Sequence, residues 1–503
     1  MPAADPFTTP ASSRRSSLRP PTSSSSLSPN DSPSSGPRSI LRRSTTPPPL
    51  PVPAMPVPVP VPAPIPVPPK KQPRMRSHMI SPDTPVPRPW TAHPPARASI
   101  AYYLTYVVIV IGIALGALQT ALEYKGVQLD RKPLCLVLEE DFSNPSTVFA
   151  DASGKGGTFF REVGMDGFGT GEFSMATASA NNSFVLDGQL YIVPTLTADA
   201  IGADAVRDGT VYNITGCTFN QTHGNGGYLN DGYGSYFDLA GYTKACSAVS
   251  NATAGTVINP VQTARLSTKF SASIRYGKVE VRAKMPDGDW LWPAIWMLPR
   301  DEVYGPWPLS GEIDIAESRG NGLRYTAHGS NYVQGTLNWG PAQGLNGADK
   351  TYSWWTDKRK KFSSDFHTYS LEWTEDFLRI SVDTRLHTLL DLRFDTPFFK
   401  RGQFPEVVYN GSSLTALQNP WINGTNATPF DQEFYLILDV AAGSTSGWFP
   451  EGQGDKPWLD RAQNPMLDFL NAQPHWYSTW PANAAGRGMV VDYVKMWKHC
   501  DGN

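Results

Sequence analysis

The chain has 503 residues and two regions of opposite charge. Residues 1–100 contain 28 of the 47 prolines, and with 12 Lys and Arg against 3 Asp this segment carries a net charge of +9. The rest of the chain sums to −11, which the total of −2 hides. This division argues against one compact domain over the whole chain, and against nucleic-acid binding by the acidic main part.

Residues 1–100 are predicted to be a disordered, Pro/Ser-rich basic tail. Ser23 to Ser26 form a serine run, and valine alternates with proline between Pro51 and Pro69. Proline removes a backbone donor and fixes φ, so neither helix nor sheet can propagate, and the Val-Pro tract favours polyproline II. Two interpretations stay open: a docking or phosphorylation segment for SH3- or WW-like partners, and a solvated spacer.

Residues 101–122 contain no charged side chain. As a helix they extend about 33 Å, enough to cross a ~30 Å hydrocarbon core, which favours a transmembrane signal anchor over a buried core helix. The flanking charge predicts a single-pass type II protein, with a cytosolic tail and a luminal or extracellular main part. The six basic residues nearest to the start of the span are Lys70, Lys71, Arg74, Arg76, Arg88 and Arg97.

All four cysteines and seven glycosylation sequons follow the predicted span. Four cysteines in an oxidising compartment predict disulfides, preferably Cys135 with Cys500 and Cys217 with Cys246, although reduced buried thiols are the alternative. Seven Asn-X-Ser/Thr sequons, some of which would be unused by chance, point to the same compartment. They lie at Asn181, Asn213, Asn220, Asn251, Asn410, Asn423 and Asn426.

The segment beyond residue 133 is predicted to be all-β. Short alternating runs separated by Gly, Pro, Asn and Asp clusters favour a sandwich or jelly roll. The runs extend from Phe184 to Ile192, Gly277 to Met285, Thr368 to Trp373, Leu378 to Asp383, Phe434 to Val440 and Met489 to Trp497.

Fourteen of the fifteen tryptophans fall between Trp290 and Trp497. In WLWPAIW, period-2 spacing predicts that Trp290, Trp292 and Trp296 share one face of a strand. Aromatic rings on a concave sheet stack on sugar rings, so their density predicts a carbohydrate cleft, while core packing is the alternative for any one of them.

The segment SGEIDIAESRGN carries three acids that suit catalysis. On a strand, Glu312 and Asp314 share a face, and a β-bulge near Ile315 and Ala316 would bring Glu317 to it as well. Paired carboxylates on either side of a glycosidic bond are what glycoside hydrolysis requires. A solvated acidic strand and a calcium site are the alternatives.

These residues, together with GDWLWPAIWMLP, GTLNWGP, FHTYSLEW and FYLILDVAAG, resemble glycoside hydrolase family 16 in its laminarinase-like fungal and invertebrate branch. The resemblance covers most of residues 134–498, and we expect a catalytic domain at 134–503 after a stem at 123–133. It implies a concanavalin-like β-jelly-roll sandwich and retaining cleavage or rearrangement of β-1,3 or mixed-linked glucan. It implies no cofactor or metal ligands, and a structural calcium is left open.

Carried over by position, the resemblance implies that Glu312 is the nucleophile, Glu317 the general acid/base, and Asp314 the partner that tunes Glu312. It also implies a set of substrate-binding residues: Trp292, Trp296, Trp307, Arg319, Asn338, His367 and Trp373. The chain departs from the family pattern at Asn338, where many relatives have histidine, and at Asp439 and Ala442 in the LILDVAAG segment.

Three functions remain after this comparison. The first is a membrane-anchored β-glucan hydrolase or transglycosylase acting on cell-wall polysaccharide, similar also to fungal proteins of β-1,6-glucan assembly. The second is a non-catalytic β-1,3-glucan recognition protein, against which the presence of all three acids argues. The third is a scaffold whose cytosolic tail recruits partners.

Overall fold

The computed structural model describes residue 81 and residues 83–89, 96–230, 234–411 and 413–500. Most of the proline-rich tail, including the Val-Pro tract, lies outside the described residues, so its disorder and its SH3- or WW-type partners stay predictions. The chain divides into two units, Met1–Leu122 and Glu123–Asn503.

Helix α1 (Ala96–Gly126) contains the predicted apolar segment. Its portion Ser99–Gly126 is long and apolar enough to cross a membrane, and it is the one such helix in the described part of the chain. Thr105 and Thr120 donate their hydroxyls to the carbonyl oxygens of Ala101 and Gly116, four residues earlier. These polar side chains are therefore satisfied within the helix itself.

The strands of the second unit are short and numerous. Their bounds are β1 (Leu134–Glu140), β2 (Phe160–Glu162), β3 (Ser174–Ala176), β4 (Ser183–Leu186), β5 (Gln189–Ile192), β6 (Thr195–Leu196), β7 (Asp208–Asn213), β8 (Tyr228–Asn230), β9 (Ser235–Phe237), β10 (Ser247–Asn251), β11 (Val261–Thr263), β12 (Arg265–Ser267), β13 (Ser273–Ile274), β14 (Gly277–Lys284), β15 (Leu291–Pro299), β16 (Glu312–Glu317), β17 (Tyr332–Asn338), β18 (Tyr352–Thr356), β19 (His367–Trp373), β20 (Phe377–Val382), β21 (Thr388–Arg393), β22 (Val407–Asn410), β23 (Ser413–Ala416), β24 (Phe434–Ala442) and β25 (Met489–His499).

Between these strands lie helices of four to eight residues, too short to leave a helical period in the sequence. They are α2 (Thr197–Ile201), α3 (Ala203–Arg207), α4 (Phe219–Thr222), α5 (Leu239–Cys246), α6 (Phe398–Gly402), α7 (Pro465–Asn471), α8 (Gln473–Tyr477) and α9 (Ala484–Arg487).

Two large antiparallel sheets form the sandwich. The back sheet has the order β21-β20-β19-β14-β25-β5-β4, with β1 also paired to β25. The front sheet has the order β18-β17-β16-β15-β24-β12-β2, with β13 also paired to β24. The predicted all-β, jelly-roll-like sandwich is thus confirmed.

The core lies between the two sheets and follows strand alternation. Strand β14 alternates strictly between buried and half-buried residues. In the front sheet, Ile295 of β15 and Ile313 and Ile315 of β16 are fully buried in the same apolar cluster as Val279 and Val281 of β14. Each such side chain contributes roughly 1.5–3 kcal/mol on burial, so the inward face fixes which residues face outward. The outward face of the front sheet carries the polar and aromatic residues described below.

The predicted run from Phe184 to Ile192 is two strands rather than one. Asp187 and Gly188 both have positive φ, 51° and 69°, and they turn the chain between β4 and β5. An Asp-Gly pair suits this hairpin turn, because both central residues need the left-handed region. The other five predicted runs correspond to single strands: β14, β19, β20, β24 and β25.

Both predicted disulfides are present. Cys135 pairs with Cys500, which joins the start of β1 to the end of β25, and Cys217 pairs with Cys246 around a 29-residue separation. Six sequon asparagines are exposed, namely Asn181, Asn213, Asn220, Asn251, Asn423 and Asn426, while Asn410 ends β22. Their occupancy stays a prediction.

Candidate active site

A cleft of about 1240 Å³ lies on the outward face of the front sheet. Its lining crosses the sheet from Arg265 on β12, through Trp296 on β15 and Asp314 on β16, to Tyr352 on β18. A groove that crosses several strands accepts an extended ligand rather than a small compact one. Seven of the predicted site residues line it: Trp292, Trp296, Trp307, Glu312, Asp314, Glu317 and Asn338.

Strand register explains why these side chains meet. Direct cross-strand neighbours point to the same face of a sheet. One row of neighbours across the front sheet is Arg265, Asp439, Ala294, Glu317, Gln334 and Trp354. The next row is Ile437, Trp296, Asp314, Thr336 and Tyr352. The carboxylates therefore stand in the middle of a surface with aromatic rings on either side.

The predicted β-bulge is present in β16. Asp314 pairs with Trp296 and Ala316 with Ile295, so Ile315 has no counterpart on β15. The register against β17 shifts in the same interval. The extra residue returns Glu317 to the face of Glu312 and Asp314, because a bulge adds one residue to an otherwise strict alternation.

The end of β16 is held by a close backbone approach. Gly320 donates to the carbonyl of Leu291 at 2.8 Å and accepts from Gly288 N at 2.9 Å. A Cβ on Gly320 would lie 2.3 Å from the oxygen of Gly288. Position 320 therefore requires glycine, because the backbone that follows Glu317 approaches the backbone at the start of β15 too closely for a side chain.

Glu312 and Asp314 share one amide donor. Asn338 Nδ2 lies 2.9 Å from Glu312 Oε1 and 2.7 Å from Asp314 Oδ2. Asn346 donates to Asn338 Oδ1 at 2.7 Å, which fixes the orientation of that amide. Trp307 donates its indole N–H to Glu312 Oε2 at 2.9 Å. Glu312 thus accepts two hydrogen bonds that favour its ionised form.

Glu317 has a drier and less polar setting. It is 9% exposed, and Trp292 donates to its Oε1 at 3.1 Å. Trp292 in turn stacks on Trp448, with ring centroids 4.9 Å apart and planes 12° from parallel. Since this carboxyl has one neutral donor beside apolar rings, its protonated form is favoured relative to Glu312.

The pKa values of all three acids lie above their ordinary values. Burial, followed by the charge of Glu312, raises the pKa of Glu317 to about 8. Burial raises the pKa of Glu312 to about 7, against the opposing hydrogen bonds from Asp314, Trp307 and Asn338. Burial and both glutamates raise the pKa of Asp314 well above its usual range. Glu312 therefore ionises before Glu317, and Asp314, whose pKa is also raised, shares a hydrogen bond with Glu312.

A second charged cluster forms the floor of the cleft near β12. Arg265 is 9% exposed, and its Nε donates to Glu162 Oε2 at 2.7 Å. Its guanidinium also lies 4.6 Å from the ring centroid of Trp296, whose Nε1 donates to Asp439 at 2.8 Å. Burial and the charge of Asp439 raise the pKa of Glu172 to about 8. Arg265 thus packs against the ring of Trp296, and Asp439 binds its indole N–H.

Two predicted cleft residues lie elsewhere. Trp373 is fully buried on β19 of the back sheet, where its Nε1 donates to the carbonyl of Phe430 at 3.1 Å. His367, also on β19, pairs through Nδ1 with Asp383 at 2.8 Å. The expectation that they line the cleft is wrong, because the FHTYSLEW segment belongs to the opposite sheet.

Arg319 lies behind the cleft rather than in it. It is 7% exposed, and its guanidinium donates to the carbonyl oxygens of Trp448, Ala327 and His328 at 2.7–3.2 Å. Its Cζ stands 4.0 Å from the ring centroid of Trp448. The prediction that Arg319 contacts substrate is therefore replaced by a positioning contact with Trp448.

Trp290 does not share a face with Trp292 and Trp296. It precedes β15 with a φ of 67°, and it is buried against Tyr325, Phe449 and Trp458. The alternation begins only at Leu291, so period-2 spacing does not reach it. Seven of the fourteen clustered tryptophans are buried: Trp290, Trp339, Trp373, Trp421, Trp458, Trp476 and Trp480.

Several cleft residues had no recognisable signal in the sequence. Trp448 stacks on Trp292, which is far away along the chain, and Asn346 acts through its hydrogen bond to the Asn338 amide. Arg265 lies on a three-residue strand, too short for an alternation signal. Among the described residues, no group of three or more His, Cys, Asp or Glu side chains is placed to hold a metal ion.

Comparison with known proteins agrees with this architecture. The family model described as "Glycosyl hydrolases family 16" matches residues 240–407. A "Beta-1,3-glucan-binding protein" of Penaeus monodon is 39% identical over 348 residues, covering 67% of this chain and 85% of that protein. The chain belongs to glycosyl hydrolase family 16.

Two further comparisons differ in extent. "Glucan endo-1,3-beta-glucosidase A1" of Niallia circulans is 38% identical over 184 residues, which cover 36% of this chain and 22% of that protein. The chain thus spans about a fifth of that protein's length. The crystal structure of the laminarinase from Rhodothermus marinus is 22% identical with a TM-score of 0.42, covering 74% of this chain and 100% of that one.

Proposed function

We propose that this family 16 protein is a retaining β-glucan hydrolase or transglycosylase that acts on cell-wall polysaccharide. The observation that carries the proposal is the placement of Glu312 and Glu317 on one face of bulged β16, with Glu312 the more readily ionised of the two. Retaining glycosidases need one carboxylate that is charged and one carboxylic acid that is protonated at the same pH.

In the first step, the Glu312 carboxylate attacks the anomeric carbon and the glycosidic C–O bond breaks. The Glu317 carboxyl gives its proton to the departing glycosidic oxygen, which leaves as a sugar hydroxyl. A glycosyl ester on Glu312 remains. Asp314 and Asn338 stabilise Glu312 as a leaving carboxylate through the hydrogen bonds described above.

In the second step, the Glu317 carboxylate removes a proton from the incoming nucleophile, whose oxygen attacks the anomeric carbon and releases Glu312. If the nucleophile is water the reaction is hydrolysis, and if it is a sugar hydroxyl the reaction is transglycosylation. Exposed rings at the β18 end of the front sheet, Tyr352 and Trp354, offer a stacking surface for such an acceptor sugar.

A second candidate function is glucan binding without catalysis. The name of the Penaeus monodon relative supports it, since that protein is called a glucan-binding protein. An aromatic cleft binds sugar whether or not its carboxylates react. The three acids and their ordered ionisation favour catalysis.

One experiment separates the two functions. The detergent-solubilised full chain is incubated with laminarin and with a mixed-linked glucan, and products are separated by chromatography. Shorter chains indicate hydrolysis, and longer chains indicate transglycosylation. Binding without product, equal in wild type and Glu312→Gln, would establish the binding function and refute the enzyme.

We also propose that α1 anchors the protein as a type II membrane protein, with residues 123–503 on the luminal or extracellular side. The two disulfides and the seven sequons that follow α1 support this orientation. Protease protection of intact microsomes tests it: the domain should resist digestion while an epitope on the tail is removed. Digestion of the domain in sealed vesicles would reverse the assignment.

A further inference from the structure

Among the seven sequon asparagines, Asn220 lies in the lining of the cleft as the structure describes it. We propose that an N-linked glycan on Asn220 stands at the β12 end of the cleft and restricts the entry of long glucan chains. This inference rests on the proposed function, since it concerns access of a polysaccharide to the same cleft. It adds a modification that would select for short chains.

The position of Asn220 is fixed by its neighbours. Asn220 is exposed on α4, three residues after Cys217, which is bonded to Cys246. The preceding Thr218 is buried, and its Oγ1 accepts from Val163 N at 2.9 Å. Phe219 is also buried, with its ring against His223, Phe237 and Tyr242. A glycan would therefore leave the protein from a defined point on the rim.

That point lies at one end of the cleft. The carbonyl of Gln221, next to Asn220, accepts from Lys269 Nζ at 2.8 Å, and Lys269 lies two residues after β12. Strands β15 and β24 separate β16 from β12 in the front sheet. At a spacing of ~4.8 Å per strand, the carboxylates on β16 stand about 14 Å from β12. A short oligosaccharide fits in this interval, whereas a longer chain passes Asn220.

Two other exposed sequons, Asn181 and Asn423, are not among the residues that line the cleft. Asn181 precedes β4 at the edge of the back sheet, and Asn423 lies in the loop between β23 and β24. Glycans at these positions cover surface without narrowing the path of a ligand, which makes Asn181 and Asn423 matched controls.

The modification itself is ordinary oligosaccharyl transfer in the secretory pathway. A bond forms between Asn220 Nδ2 and the anomeric carbon of a lipid-diphosphate-linked oligosaccharide. The amide loses one proton, and the lipid diphosphate leaves. Thr222 completes the sequon, and it lies on the same α4 helix.

The test uses the full chain expressed in a eukaryotic host and solubilised in detergent. All variants carry Glu312→Gln, so that no chain is cleaved during the measurement. Mass spectrometry of the peptide that contains Asn220 gives occupancy. Affinity is then measured for laminarin polymer and for a β-1,3-linked trisaccharide, in the parent, Asn220→Gln, Thr222→Ala, Asn181→Gln and Asn423→Gln.

We expect Asn220 to be occupied. Asn220→Gln and Thr222→Ala should each raise polymer affinity roughly tenfold, a difference of about 1.4 kcal/mol, while trisaccharide affinity stays within twofold. Asn181→Gln and Asn423→Gln should change neither value. An unoccupied Asn220, or equal polymer affinity with and without the glycan, would overturn the inference while leaving the proposed function intact. Absence of trisaccharide binding in every variant would overturn the proposed function and this inference together.

Discussion

Asn338 donates to Asp314 across 2.7 Å, and its second amide hydrogen reaches Glu312. One neutral side chain therefore holds two acids that would otherwise repel each other. Asn346 donates to Asn338 Oδ1, which fixes the orientation of the Asn338 amide. The Nδ2 group of Asn338 therefore faces the two acids. Asn338, a position at which the chain departs from the family pattern, thus binds both carboxyl groups.

Asn338→Asp should impair catalysis by removing both donors and adding a charge. Loss of a hydrogen bond to a charged group costs about 1.5–3 kcal/mol, so we expect a decrease in kcat of roughly tenfold to a hundredfold. The pKa of Glu312 should rise, which moves the acidic limb of the pH–rate profile upward. Asn331→Asp is the matched control, because Asn331 donates to a backbone carbonyl at Asp357 instead. An unmoved acidic limb would contradict this role.

The pH dependence of catalysis should be bell-shaped and narrow. The pKa of Glu312 is raised to about 7 and that of Glu317 to about 8, so the productive form is most abundant between these values. Activity falls below about pH 7 as Glu312 gains a proton, and above about pH 8 as Glu317 loses its proton. The limits belong to the coupled pair. Initial rates on laminarin between pH 4 and 10 test this, and a maximum below pH 5 would contradict it.

Glu312→Gln and Glu317→Gln should each depress turnover, because one removes the attacking carboxylate and the other the proton donor. We expect losses of at least about a hundredfold, the scale associated with acid–base groups. Both variants should keep trisaccharide affinity, measured by calorimetry. Glu406→Gln, on an exposed loop, is the control. Full activity in either cleft variant would refute the corresponding assignment.

The local features of β16 could be predicted from sequence because they depend on a few adjacent residues. Alternation placed Glu312 and Asp314 together, and the odd offset of Glu317 required a bulge, which is present at Ile315. Both disulfides followed from the position of four cysteines at the ends of a domain and of a loop. These inferences needed no knowledge of which strands pair.

Assignment to a sheet could not be predicted in the same way. Trp373 and Trp296 are both tryptophans on buried strands, and only pairing decides that β19 joins the back sheet and β15 the front sheet. Likewise, Arg265 reaches Glu162 and Trp296 through contacts between segments separated by dozens of residues. Such contacts follow from topology, which a single sequence does not specify.

Arg265 should be essential to the stability of the cleft floor. Arg265→Met removes the cation from Glu162, Asp439 and Glu172, which leaves buried carboxylates without their partner. Breaking a buried pair from one side costs about 3–5 kcal/mol. Arg300→Met, which breaks surface pairs with Asp301 and Glu433, should cost less than about 1 kcal/mol. Urea unfolding at pH 7 measures both, and equal losses would contradict the buried role.

The cleft acids should lower the free energy of unfolding at alkaline pH. The pKa of Glu317 is about 8 in the folded protein, against an ordinary value of 4.5, so the folded state binds the proton more tightly than the unfolded state. The contribution of Glu317 to the free energy of unfolding is therefore largest below about pH 4.5. It decreases as the pH rises toward about 8 and does not change further above that pH.

Glu317→Gln removes this penalty, because glutamine is neutral and still accepts from Trp292. We expect the variant to match wild type at pH 4 and to exceed it at pH 9 by an amount on the order of a few kcal/mol, since the buried charge is absent. Urea unfolding of the full chain at both pH values measures the difference, with Glu406→Gln as the exposed control. A variant that is no more stable than wild type at pH 9 would show that Glu317 ionises without cost.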